Sequence, residues 1–142
     1  MEYDKAFENE VLASALGALA GAGRRGAEWM ARLLPTHLHE AEIGLSLPFA
    51  DAVSKAEVVL RGLGRPVGPM RPELQDGLRM FRVLTGGGSL NLNPVLVTAV
   101  LVAAPPGSRL HLRVAAKEGL VRQRAAERTG RQVESLLRTA LD

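Results

Sequence analysis

The spacing of apolar positions switches between a helical and an alternating period along the chain, and the switches mark its elements. Phe7, Leu12, Leu16 and Leu19 recur at helical spacing in a segment rich in Ala, Leu and Glu, so the spacing predicts a helix over 4–22. The run Gly21-Ala22-Gly23-Arg24-Arg25-Gly26 ends it, and a short second helix follows at about 27–34, stopped by Pro35. Over 41–47 the period becomes two: Ile43, Leu45 and Leu47 face one way, Glu42, Gly44 and Ser46 the other, as in a half-buried strand. Residues 49–63 return to a helical stripe of Phe49, Val53, Ala56, Leu60 and Leu63, with Ala52 and Val59 beside it.

Pro66, Pro69 and Pro72, with neighbouring glycines, make 64–77 a connecting loop. A strand with weak alternation is expected at 78–85, and the Gly- and Asn-rich segment 86–94 is a loop. Residues 95–104 are apolar at both parities, so both faces of that strand require cover. Pro105-Pro106-Gly107-Ser108 is turn chemistry, with Pro106-Gly107 suited to a type II turn. Residues 109–116 alternate, with Leu110, Leu112, Val114 and Ala116 inward and Arg109, His111 and Arg113 outward. A last helix spans about 121–141, its stripe formed by Ala126, Gly130, Val133, Leu137 and Ala140, with Leu136 and Leu141 alongside.

After an N-terminal helical arm (1–35), the order in 36–142 is β-α-β-β-β-α. The compact solution is an α+β domain: a four-stranded, mostly antiparallel sheet with two helices on one face. Over about 41–142 this element order resembles the single repeat of the TATA-box-binding-protein-like fold. The resemblance implies that architecture and a binding role. It rests on element order alone, so no functional residue is carried over.

The composition fits one globular domain of 142 residues with 46% hydrophobic and 23% charged side chains. No cysteine is present, which excludes disulfides and thiolate metal sites. The acidic N-terminus is unlike a secretory signal, and the apolar stretch Val11–Ala22 is too short to span a bilayer, so a cytoplasmic protein with no membrane span is expected. Charge is uneven: residues 1–42 hold four basic and seven acidic side chains, whereas 61–142 hold thirteen and six. The basic half raises nucleic acid as a partner, but its Arg residues are dispersed and lack an aromatic platform, so nucleic acid is not expected.

Each candidate site has a plainer explanation. Gly21–Gly26 matches G-x-G-x-x-G but follows a helix, where a dinucleotide fingerprint needs a strand. Gly86-Gly87-Gly88-Ser89 lacks the Lys-Ser/Thr end of a phosphate loop. His37 and His39 share a face on an extended segment, but Glu40 falls on the other, short of the three ligands of a zinc site. They read as solvated residues entering the first strand. His111 would need a carboxylate from another element to act as a base, and the serines lack a nucleophile context. Arg124, Arg128 and Arg131 share one helix face and are the best contact for an anion or partner, although Glu127 and Glu134 favour a salt-bridged surface. The small residues Ala13, Gly17 and Gly21 form a row suited to close helix packing, a candidate assembly face. The expectation is a non-enzymatic binding or assembly module without cofactor or metal, a homo-oligomer, with a protein or small apolar ligand as the other partner class. The alternative is a carrier of a hydrophobic ligand in a pocket between sheet and helices. The N-terminal helices are expected to cover the sheet face that the other two helices leave open, within the chain or across to a partner subunit.

Overall fold

The computed structural model describes residues 4–19, 32, 34–68, 77–86, 94–117 and 124–142. The elements that lie among these described residues are α1 (Lys5–Leu19), β1 (Thr36–Leu45), α2 (Phe49–Leu63), β2 (Arg65–Pro66), β3 (Leu78–Gly86), β4 (Pro94–Ala104), β5 (Gly107–Lys117) and α3 (Ala125–Leu141). The strands make one sheet in the order β1-β5-β4-β3-β2, with every neighbouring pair antiparallel.

The four-stranded sheet expected from the sequence is therefore corrected to five strands. The extra one, β2, lies inside the segment read as a loop. It is two residues long and pairs with Leu84 and Val83. Two residues cannot display an alternation, and Pro66 lacks a ladder donor, which restricts it to a sheet edge. β1 also starts at Thr36, earlier than the expected 41, because His37, His39, Glu40 and Glu42 hide its period in polarity. The β4–β5 connection is the pair Pro105-Pro106, joined by a cis peptide bond, and Gly107 is already the first residue of β5 rather than a turn position. The last helix begins at Ala125 rather than 121, and residues 118–123 are outside the described ones. The expected helix at 27–34 and the glycine motif 21–26 also fall outside them, apart from Arg32 and Leu34.

One sheet face carries α2 and α3. Their buried stripes, Ala52, Ala56 and Leu60 on α2 and Ala126, Val133, Leu137 and Leu141 on α3, join alternate residues of β1, β3, β4 and β5 in one contiguous core. Leu136, expected beside the α3 stripe, is exposed instead. The other face carries α1. Asp4 caps that helix by accepting a hydrogen bond from the Phe7 backbone N–H at 2.9 Å. Leu12 of α1 packs with Leu84, Leu96 and Ala115 of the sheet in a second, smaller cluster. β4 is buried from Pro94 through Leu101, so both of its apolar faces are covered. Among the described residues no helix is long and apolar enough to cross a membrane.

Candidate functional site

Strand register builds the site. Side chains on one face recur at every second residue, and antiparallel pairing sets partners side by side. On the α1 face this aligns Glu40 of β1, Arg113 of β5, Thr98 of β4 and Arg82 of β3 in one row across the sheet. The first turns of α1 lie over that row. Arg113 donates to Glu8 through Nε at 2.9 Å and Nη2 at 3.1 Å, and to Glu40 through Nη1 at 2.7 Å. The Glu8 contact is the two-pronged geometry that suits a guanidinium to a carboxylate. The Arg113 and Glu8 side chains are 7% and 9% exposed, so their pair is desolvated, whereas Glu40 is 56% exposed. Hydrogen bonding to Glu8 above all, and to Glu40, raises the Arg113 pKa further above its ordinary value, against the opposing effect of burial. Phe7 lies over Arg82, its ring centroid 4.7 Å from the guanidinium carbon. Gly68, at φ +87°, leaves room for that ring, because a Cβ there would come within 2.8 Å of it.

The adjacent row is apolar: Leu38, Ala115, Leu96 and Leu84, the last three under Leu12. One row further, Lys117 is 2% exposed and donates to the Leu34 carbonyl at 2.8 Å. Burial lowers its pKa, partly offset by the charge of Glu8. On the opposite side of the charged row, Glu42 lies 3.5 Å from His111 Nδ1 and 3.4 Å from Arg109. The carboxylate His111 would need therefore comes from the neighbouring strand. Alternation along 109–116 predicts Arg109, His111 and Arg113 together on an outward face. Arg113 is a correction, because α1 covers that part of the sheet.

His39 is the second correction. Instead of lying solvated at a strand entrance, it packs on α3 from the α2–α3 face, 81% removed from solvent, with Nε2 3.3 Å from Glu134 Oε2. Its ring occupies the space a Cβ would fill at Gly130. Arg138 donates to Glu134 at 2.8 Å, and that hydrogen bond, with a smaller one from His39, lowers the Glu134 pKa. His37 does point to the same sheet face as His39, with Glu40 on the other. Among the described residues no three His, Asp or Glu side chains converge as metal ligands would. The hydroxyls of Ser54 and Ser108 donate to the backbone carbonyls of Ala50 and Leu47.

The arginine stripe differs from its expected form. Arg124 precedes α3 in a left-handed conformation, φ 51°, so it does not continue the helical row. Arg128 and Arg131 are exposed, and Arg131 donates to Glu127 at 2.7 Å. Of the small-residue row, Ala13 is fully buried, Gly17 lies within α1, and Gly21 falls outside the described residues. The Glu8–Arg113 pair was missed, and its only sequence signal was the complementarity of an acidic N-terminal segment and a basic C-terminal half.

No family model and no curated protein matches this sequence. Among solved structures, the crystal structure of Ara h 8.0201 is similar at 12% identity with a TM-score of 0.42, over 75% of this chain and 95% of that one. At that similarity the likeness fixes neither the fold nor a ligand for this chain.

Proposed function

We propose that the chain is a non-enzymatic binding module whose contact surface is the sheet face under α1. The observation that carries this reading is the desolvated Glu8–Arg113 pair set in a row with Arg82 and Thr98. A cover serving the fold alone is best built from apolar side chains, since a buried ion pair adds little net stability over hydrophobic residues of similar size. An ionic clasp instead gives a contact that is specific yet separable. Self-association belongs to the same proposal, with Leu38, 46% exposed on edge strand β1, as its apolar anchor. Native-state hydrogen exchange tests the reading. Amides of α1 are expected to exchange through an opening well below global unfolding, uncovering the sheet, while those of α3 exchange only on global unfolding. Equal protection of the two helices would refute it.

One observation favours a second reading, a carrier of a small apolar ligand between the sheet and α2 and α3. Arg79 Nε is buried without a hydrogen-bond partner, its guanidinium 5.2 Å from the Phe81 ring. A half-buried guanidinium beside an aromatic ring, with its Nε buried and unbonded, suits a ligand with an anionic end. A dansylated fatty acid should bind the full chain and lose at least tenfold in affinity with Arg79→Ala. No binding would dismiss the carrier.

A further inference from the structure

We infer that the face under α1 is a receptor for an acidic helix of another protein, and that Phe7-Glu8 with Leu12 is its built-in occupant. This inference rests on the binding face proposed above and names its partner. The receptor has three stations. Arg82 on β3 takes an aromatic ring, Arg113 on β5 takes a carboxylate in two-pronged fashion, and Leu84, Leu96 and Ala115 take a leucine.

Their spacing is that of a helix lying along the strands. Glu8 and Leu12 are four residues apart and so share a face, about 6 Å apart along the helix axis. The rows they occupy, Arg113 and Ala115, are two strand residues apart, about 6.6 Å. The two periods match, so a helix places a carboxylate and a leucine in register with successive rows. Phe7, one position before Glu8, projects about 100° around the axis. It reaches β3, two strands from Arg113, or roughly 9.6 Å across the sheet. The partner therefore carries an aromatic, a Glu directly after it, and a Leu four positions further.

Charge sets the selectivity. Arg82, Arg113 and the buried Lys117 line this face, and the carboxylate that α1 sets against them is Glu8, since Asp4 caps the helix and Glu10 pairs with Arg32 away from the sheet. A helix with Lys at the Glu8 position would place a second cation against Arg113, a desolvated like-charge contact that excludes it. The segment joining α1 to β1, residues 20–35, carries Gly21, Gly23 and Gly26, and a tethered occupant acts at a high effective concentration. A helix in trans therefore gains access as the resident one is weakened.

The test titrates a fluorescein-labelled peptide of residues 4–19 into the full chain. Binding is expected to be at least tenfold tighter to the Leu12→Ala chain, whose receptor residues are intact, than to the unaltered chain. A peptide with Glu8→Lys should lose at least tenfold. If Leu12→Ala does not fold, the Glu8→Gln chain replaces it with the same expectation. Binding that ignores the peptide's Glu8, or that is no tighter to the weakened chain, overturns the inference. So does a weakened chain that dimerises and excludes the peptide, since the occupant is then the α1 of a second copy. In both cases the proposed binding face survives if hydrogen exchange shows α1 opening, and it falls with the inference if α1 stays protected.

Discussion

The two faces of the sheet are closed by different physics. Against α2 and α3 the described residues bury eighteen apolar side chains in one cluster, whereas the cluster on the α1 side holds four, Leu12, Leu84, Leu96 and Ala115, with Ala13 and Val100 buried beside it. Beside that small cluster the α1 side buries ions: Glu8, Arg113 and Lys117 are each under a tenth exposed. Full burial of a large aliphatic side chain is worth about 1.5–3 kcal/mol, while a buried ion pair is close to break-even. The helix face is thus a core in the ordinary sense. The α1 face is a specific contact whose strength depends on a few named side chains.

Truncations on the two faces should separate this most widely. Leu137→Ala on α3 removes a fully buried side chain from the large cluster and should cost about 4 kcal/mol in global stability by urea unfolding. Leu12→Ala should cost about 2 kcal/mol, and its loss should show as faster exchange of α1 amides alone. Equal, global losses would erase the distinction.

The ionic clasp makes a smaller prediction with a characteristic sign. Glu8→Ala deprives Arg113 of its two-pronged partner and should cost about 2 kcal/mol, below the usual cost of breaking a buried pair because Glu40 still holds Nη1. The double variant Glu8→Leu, Arg113→Met replaces the pair by apolar groups and should be more stable than either single variant. Additive losses in the four-way comparison would mean that the pair is not coupled.

On the opposite face, Gly130→Ala drives a methyl group into the His39 ring. Overpacking outweighs the helix propensity gained, for a net loss of about 1 kcal/mol by thermal unfolding, and adding His39→Ala should restore it. A Gly130→Ala chain as stable as the parent would mean that the ring moves aside freely.

The weakest effects are those of pH, and they divide between the faces. Glu134 has its pKa lowered in the folded chain by Arg138 and His39, so its contribution is present above the unfolded value and lost as pH falls through the folded one. Its Arg138 partner is half exposed, so the effect stays below about 1 kcal/mol, and Glu134→Gln should remove it. Lys117 also titrates lower when folded, because of burial. Between that lowered value and 10.5 the unfolded chain binds more protons, so stability rises with pH there, and Lys117→Met should flatten the rise. A flat acid profile for the parent, or an alkaline rise that survives Lys117→Met, would misplace these groups.

The parts of this architecture legible in the sequence are those with a local period. The α2 stripe ends where Leu63 ends, and the doubly apolar β4 is covered on both sides, because each pattern extends over enough residues to be seen. β2 was not legible, being a two-residue strand containing a proline. The site was less legible still. Glu8 and Arg113 are 105 positions apart, and His39 and Glu134 are 95 apart, so no spacing rule joins them. Arg113 looked solvated because its strand alternates cleanly, and alternation cannot report that a helix from the other end of the chain covers the polar face. His39 looked exposed for the converse reason: a polar side chain sits on the apolar face because Gly130 leaves a space for its ring.

The central claim, that α1 separates from the sheet while α2 and α3 stay in place, is most directly tested by thiol labelling, because the chain contains no cysteine of its own. Ala13→Cys on α1 and Ala126→Cys on α3 each place a single thiol at a fully buried position. With an excess of an aromatic disulfide reagent in native buffer, the thiol at 13 should react at least a hundredfold faster than the thiol at 126, without loss of far-ultraviolet circular dichroism. Two equally slow rates, each matching global unfolding, would show that α1 is as fixed as the core and would contradict the account.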